Sequence, residues 1–366
     1  MPVHKQSCQG FEQQSLALDT DRRFFKCLLQ HGPMSRAAIS QLTGISRPTI
    51  SEAAQRLKGQ SLVNETKRKT QNKQGRAGIL YEINAMRGVT LAVALDSAHI
   101  QMRLMDLAEN VISEQHSPLS DVLTQEAFLG RVTQMAEDLV RQVDTVVLSV
   151  GISIADPVDA NTGLVVPLPE APFPLSHNIN FCSLFSNLFH CPVTIDNDVN
   201  WATLAERAQG NAKDEQNFVF FYFGRGIGAG IHISGHLLRG SSGMAGEVGY
   251  FKVDGDTNLQ DYVESQGLLK ALLENRSLKA NLAIDKIVHV ISSTAILVNP
   301  DLVILGGPLA RHDAFMAALM TKIPENTLVK TRVMPSAMPE TAPLCGASAG
   351  AQELALASLG LLPQPE

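Results

Sequence analysis

Between Ser35 and Lys58 the sequence sets two helix-starting serines on either side of a glycine turn, and few folds accept that arrangement. Ser35 can cap a short helix over Arg36–Leu42, with Ala38, Ile39 and Leu42 facing inward. Thr43-Gly44-Ile45 makes the turn. Ser46 caps a third helix running to about Lys58, with Pro48 in its first turn, where a missing N–H costs nothing. Ile50, Ala53, Ala54 and Leu57 form the buried side of that helix. Upstream, Phe24, Phe25, Leu28 and Leu29 recur at helical spacing from Asp19 to His31; Asp19 or Thr20 starts this helix and Gly32-Pro33 stops it. Residues 1–17, polar and rich in Gln and Ser, read as a loose tail.

After the third helix come Leu62-Val63, a charged stretch Glu65–Gln74 and the apolar Leu80–Ile83, a pattern of two short strands around a basic loop. Helix, helix, turn, helix and wing make a winged helix-turn-helix over residues 18–82. Charge agrees with it. Residues 1–86 carry a net charge of +7 within a chain whose net charge is −6, so the remainder is strongly acidic. A cationic head on an acidic body suits a polyanion as the head's partner. The third helix offers Ser46, Arg47, Thr49, Ser51, Glu52, Gln55 and Arg56 to base edges and phosphates. Lys67, Arg68, Lys69 and Lys73 on the wing suit phosphate neutralisation, and Arg76, between Gly75 and Gly78, suits a narrow minor groove. A basic head of this kind can also be a protein-binding module or a structural linker.

The remaining residues alternate strand and helix signals. Gly88–Leu95 and Ile100–Leu107 look like a hairpin, Ala127–Gln142 like a helix, Thr145–Ile154 like a buried strand. Leu184–Phe189 and Val193–Ile195 follow as helix and strand. A second block opens at Phe218–Phe223 and continues through glycine turns to the helix Ile287–Leu297, the strand Leu302–Leu305 and a small-residue helix Ala347–Leu359. Both halves begin with a strand pair, as a duplicated two-lobed α/β fold does. A chain of 366 residues has room for two or three domains. Its cysteines lie far apart with no C-x-x-C, which argues against a disulfide framework and a cysteine zinc site. The longest apolar stretches, such as Val146–Ala155, are too short to cross a bilayer, and Met1–Gly10 lacks the apolar core of a secretory signal; the expected compartment is the cytoplasm.

Five stretches in order, Gly151–Asp159 (GISIADPVD), Asp196–Asn200 (DNDVN), Phe223–Gly230 (FGRGIGAG), Gly240–Tyr250 (GSSGMAGEVGY) and Val303–Gly307 (VILGG), make the chain resemble the ROK family in its repressor branch over residues 18–360. That resemblance implies a winged head followed by an actin-like sugar-kinase body. Residues 83–198 would form a first lobe and residues 199–366 a second, with a C-terminal helix returning to the first. A sugar would lie in the cleft, and the chain would form a homodimer or homotetramer. Asn197 and Asp198 match the family's sugar-binding pair, whose carboxylate serves as general base in the kinases. Glu247 matches a glutamate that binds sugar hydroxyls.

The sequence departs from the family in three places. The kinases' D-x-G-G-T phosphate turn is here Asp96-Ser97-Ala98-His99-Ile100, which obstructs close backbone approach and lacks the hydroxyl. Arg225 interrupts the second phosphate loop, Gly224–Gly228. Tyr250 replaces a zinc-ligand histidine, and Lys252–Gln260 lacks the zinc cysteines; Gln260 aligns with a second sugar-binding glutamate, for which Asp261 or Glu264 could substitute. The expectation is a sugar-responsive transcriptional repressor of carbohydrate genes. It would bind operator DNA and a sugar or sugar phosphate through Asn197, Asp198, Glu247, Tyr250 and Gln260, with no catalytic residue, cofactor, metal or membrane. Because Asp198 is retained, an ATP-dependent sugar kinase with a DNA-binding head is an alternative. Because Tyr250 and Gln260 are altered, so is a regulator answering to a protein partner.

Overall fold

The computed structural model describes residues 4–66, 79–159, 161–168, 173–224, 226–274, 282–328, 331–338 and 341–363. The chain begins with one helix, α1 (His4–His31), where the sequence suggests a loose tail followed by a start at Asp19 or Thr20. The stretch from His4 to Ala17 holds Gln, Glu, Leu and Ala and no proline, so nothing in it stops a helix. Thr20 caps nothing: its hydroxyl donates to the Leu16 carbonyl inside the helix (2.9 Å). Then come β1 (Met34–Ser35), α2 (Arg36–Thr43), α3 (Arg47–Gly59), β2 (Val63–Thr66) and β3 (Leu80–Ile83). Ser35 accepts from the Ala38 N–H, Gly44 ends α2 in the left-handed conformation, and Ser46 caps α3 through the Thr49 N–H. The strands pair in the order β1-β3-β2 beside the helices, which is the winged helix-turn-helix. Phe24, Phe25, Ile39, Ile50, Ala53 and Leu57 are sealed from solvent in its core. Leu42, expected to face inward, is 57% exposed, because the last turn of α2 lies outside the packed patch.

Two sheets of the same design follow. The first runs β4 (Val89–Leu95), β5 (His99–Asp106), β6 (Val111–Pro118), α4 (Gln125–Val140), β7 (Val147–Ile154), α5 (Phe181–Phe189) and β8 (Val193–Asn197), in spatial order β6-β5-β4-β7-β8. Helix α6 (Asp198–Gln209) leads to the second: β9 (Phe218–Phe223), β10 (Ile227–Ile233) and β11 (His236–Leu238). A small hairpin, β12 (Lys252–Asp254) with β13 (Thr257–Asn258), precedes α7 (Leu259–Ser265), α8 (Leu268–Leu273) and α9 (Leu282–Val298). The lobe is completed by β14 (Leu302–Gly306), α10 (Asp313–Glu325), β15 (Arg332–Pro335) and the final α11 (Ala342–Ser358). Its order is β11-β10-β9-β14-β15. In both sheets three strands form an antiparallel meander and two more join parallel, so the lobes repeat one topology.

Alternation along the strands decides what lies on each face. Val219, Phe221 and Phe223 of β9 pack under α9 and α10, whereas Phe218 and Phe220 pack against α6. Being covered on both sides, β9 is an unbroken apolar run. In the first lobe, Val150, Ile152 and Ile154 of β7 face α4 and α5. The intervening Ser149 and Gly151 lie under α11: the Ser149 hydroxyl donates to the Ala351 carbonyl (2.6 Å), and a Cβ added at Gly151 would stand 2.1 Å from the Ala347 carbonyl oxygen. The C-terminal helix therefore packs on β4 and β7, and α6 packs between it and the second sheet. Trp201 of α6 fills this junction, buried, with its indole N–H on the Ile152 carbonyl (2.7 Å). Leu356 and Leu361 extend from α11 into the core of the head, where Arg22 of α1 donates to the Gly360 and Leu362 carbonyls.

Candidate ligand cleft and nucleic-acid interface

A cavity of about 490 Å³ opens between the two sheets, and Asn197, Asp198, Glu247, Tyr250 and Gln260 all line it, together with Asp261 and Glu264. The strand-to-helix junction fixes the first two. Asn197 ends β8 and caps α6, its side-chain oxygen accepting the Val199 N–H (2.9 Å), which leaves its amide N–H groups for a ligand. Asp198 enters the first turn of α6 and also accepts from the Val199 N–H (2.8 Å). Below them Asp196 is buried; it accepts from the Asn200 amide (2.7 Å) and from Arg239 Nε (2.7 Å), so an ion pair ties β8 to the second lobe. Glu247 is held by its neighbour. Gly246 has φ +93°, and a Cβ there would come within 1.7 Å of the Ala229 carbonyl oxygen, so only glycine lets this loop lie against β10. Tyr250 is 41% exposed at the rim, and Gln260 opens α7 behind the β12–β13 hairpin, which occupies the stretch compared above with a zinc module.

The carboxyls of this cleft are reluctant anions. Burial pushes Asp198 up to about 7; the Val199 N–H opposes this, and the carboxylates of Asp96, Glu247 and Asp156 add to it. Burial, then Asp156, pushes Glu247 up to about 7. A carboxyl poised between its two forms can accept from one hydroxyl and donate to another, which suits a polyhydroxylated ligand. Asp156 is a residue whose role sequence reasoning missed, although it lies inside GISIADPVD. It is fully buried, and burial lifts it to about 6 against the opposing Ser176 hydrogen bond and the nearby His177. Its one signal in the sequence is a charge at the end of an apolar strand, between Ala155 and Pro157.

At the hairpin that resembles a phosphate turn, Asp96 Oδ1 accepts from the Ala98 N–H (2.6 Å) and the His99 N–H (2.8 Å). The amides that could cradle a phosphate are taken by the chain's own carboxylate, and Leu95 and Ile100 pair directly as β4 turns into β5. His99 lines the cavity with its ring against His116 (centroids 4.7 Å apart). His232 is packed on Phe218, and burial lowers its pKa. Gly226 and Gly228 line the opposite wall; Arg225 lies outside the described residues.

On the head, Arg47, Glu52 and Gln55 project from α3 into solvent. The Ser46 and Thr49 hydroxyls bond each other (2.8 Å), and Ser51 accepts from Arg36 Nη1 (3.1 Å) while donating to the Arg47 carbonyl. Arg56 does not join this face: its guanidinium grips the Asp21 carboxylate of α1 through Nε (3.0 Å) and Nη2 (2.8 Å). The Asp21 carboxylate of α1 draws it aside, and that partner is out of reach of local sequence reasoning. Lys67, Arg68, Lys69, Lys73 and Arg76 lie outside the described residues.

Residues 90–284 match the model of the ROK family. The chain is 28% identical over 232 residues to a xylose repressor from Bacillus spizizenii, a match covering 63% of this chain and 59% of that repressor. It is 22% identical over 233 residues to NagC of Escherichia coli, a DNA-binding transcriptional dual regulator, covering 63% and 56%. These alignments thus span less than two thirds of the relatives' length. Among solved structures, a ROK family transcriptional regulator described as a homologue of the E. coli MLC protein superposes with a TM-score of 0.71 at 20% identity, over 94% of this chain and 99% of the other. A ROK hexokinase from Thermus thermophilus gives 0.59 at 20% identity over 72% and 97%.

Proposed function

The chain belongs to the ROK family, and from that premise we propose that it is a sugar-responsive, DNA-binding transcriptional repressor of carbohydrate genes, acting in the cytoplasm without a catalytic step. The observation that carries this reading is the pairing of two features. The turn that would hold nucleotide phosphate is closed by Asp96, while the polar groups around Asn197, Asp198 and Glu247 face an open cavity. In this reading the head through residue 82 reads DNA with Ser46, Arg47, Thr49, Ser51, Glu52 and Gln55, assisted by the wing residues Lys67, Arg68 and Lys69 and by Arg76. Residues 83–198 and 199–366 form the lobes that close on the sugar, with Tyr250 and Gln260 at its rim. A homodimer on a two-fold operator would place its half-sites about 34–36 Å apart or at multiples of that.

The sugar acts only through a difference in affinity between two arrangements of the chain. Helix α11 offers the route. Thr341, Pro343 and Leu344 at its start line the cavity, and Leu356, Leu361 and the carbonyls gripped by Arg22 at its end belong to the head. The test is DNA binding by the full chain, followed by fluorescence anisotropy on fragments from upstream of sugar-utilisation operons, across a panel of monosaccharides. A monosaccharide that changes the affinity supports the reading. A folded chain that binds no DNA at low salt refutes it, and sugar-dependent ADP release from ATP that is abolished by Asp198→Asn establishes the kinase instead.

A further inference from the structure

The wall behind the sugar pair carries a charge that sugar binding alone does not call for. Among the described residues lining the cavity there are Asp96, Asp198, Glu247, Asp261 and Glu264 but no lysine or arginine. Asp156 sits one layer further back, between the lining residues Ala155 and Pro157, with none of its surface exposed. Oδ2 accepts the Ser176 hydroxyl (2.6 Å) and lies 3.8 Å from His177 Nε2. Oδ1 is enclosed and makes no hydrogen bond of normal geometry among the described residues, although the Phe173 backbone amide is near enough to favour the carboxylate. A buried carboxylate with one oxygen so poorly satisfied is costly, and a chain that needs only structure at this point does better with an amide or an alanine. The charge is felt across the cleft, since Asp156 contributes to the raised pKa of both Asp198 and Glu247.

We propose that Asp156 is a specificity-determining residue: its negative charge behind the cleft wall turns away phosphorylated sugars and leaves uncharged sugars as the effector class. The inference rests on the reading of the cleft as a sugar site. A phosphate ester brings up to two negative charges into a pocket already holding carboxyl groups, and no lysine or arginine of the described lining offsets them. A neutral sugar meets the same carboxyls as hydrogen-bond partners.

Isothermal titration of the full chain with glucose, mannose, xylose, N-acetylglucosamine and the phosphate ester of each provides the test. The expected result is that one or more neutral sugars bind and that the matching phosphate binds at least about tenfold more weakly. Asp156→Asn keeps an oxygen for Ser176 and removes the charge; it should gain affinity for the phosphate severalfold and so narrow the ratio, a gain that misfolding cannot produce. Ser176→Ala removes a hydrogen bond that favours the carboxylate, so all titrations are run at pH 8.5, where Asp156 keeps its charge in this variant too and the discrimination should stay in place. A phosphate that binds the wild-type chain as well as its parent sugar overturns the inference while the sugar reading stands. An unchanged ratio in Asp156→Asn removes Asp156 from the explanation. If neither form of any sugar binds the folded chain, the sugar reading fails and the inference with it.

Discussion

Asp156, Asp198 and Glu247 share one consequence of burial: each binds its proton more tightly in the folded chain than in the unfolded one. The sign of the pH effect follows. A carboxyl whose pKa is raised by folding favours the folded state fully below the unfolded value of about 4, and that contribution is lost as pH rises through the folded values near 6 and 7. The melting temperature of the sugar-free chain should therefore fall between pH 5 and pH 7.5, and Asp198→Asn should flatten that slope in thermal scans at a series of pH values. On the proposed function, Glu247→Gln should weaken sugar binding by about 1.5–3 kcal/mol, the range for a hydrogen bond to a charged group, as read by calorimetry. Asn197, Asp198 and Glu247 were legible in the sequence because short motifs carry them. Asp156 was not, because its burial and its effect on Asp198 depend on a fold that brings the end of β7 beside the start of α6. Arg56 is a similar case: helical spacing puts it near the exposed side of α3, and only the packing of α1 supplies Asp21.

The helices and strands were legible where each carries its own start, stop and apolar period. Ser35, Gly44, Ser46 and Pro48 mark α2 and α3 to within a residue or so, and the run Phe218–Phe223 declares a strand covered on both faces. The edge strand β6 escaped, since most of its side chains face water and its apolar alternation is weak. The helix α6 escaped because Asn197-Asp198 on its own reads as a turn; in the fold Asn197 is the cap that starts it. Two expectations belong to this scale. Ser46→Ala removes the acceptor for the Thr49 N–H and should lower stability by about 1 kcal/mol in urea titration. In α11, a Cβ at Gly346 would lie 2.1 Å from the Trp201 carbonyl oxygen, so Gly346→Ala must push two helices apart. It should cost about 1–3 kcal/mol and shift the emission of Trp201, the only tryptophan of the chain.

At the scale of the whole molecule, α11 joins the lobes and the head into one mechanical object. Arg22→Ala deletes the bonds to the Gly360 and Leu362 carbonyls but touches neither the cavity nor the exposed face of α3. On the proposed function, sugar affinity and DNA affinity measured separately should both change less than about threefold, whereas the effect of saturating sugar on DNA affinity should shrink; thermodynamic linkage requires that DNA then changes sugar affinity by the same reduced factor. The duplicated lobes were foreseen from the paired strands that open each half, but the grip of α1 on the end of α11 joins residues too far apart in the chain for any local pattern to announce it. That separation bears on biosynthesis. Residues 342–362 leave the ribosome after everything they cover has been made, so Ala92, Gly151 and Trp201 stay wet until that moment. A nascent head can acquire its helices early, yet its Phe25, like Leu107 of the first lobe beside it, waits for Leu356 and Leu361. A chain cut short before residue 342 should thus fold in pieces, its two sheets and its head lacking the helix that spans them, and should yield to added protease faster than the full chain.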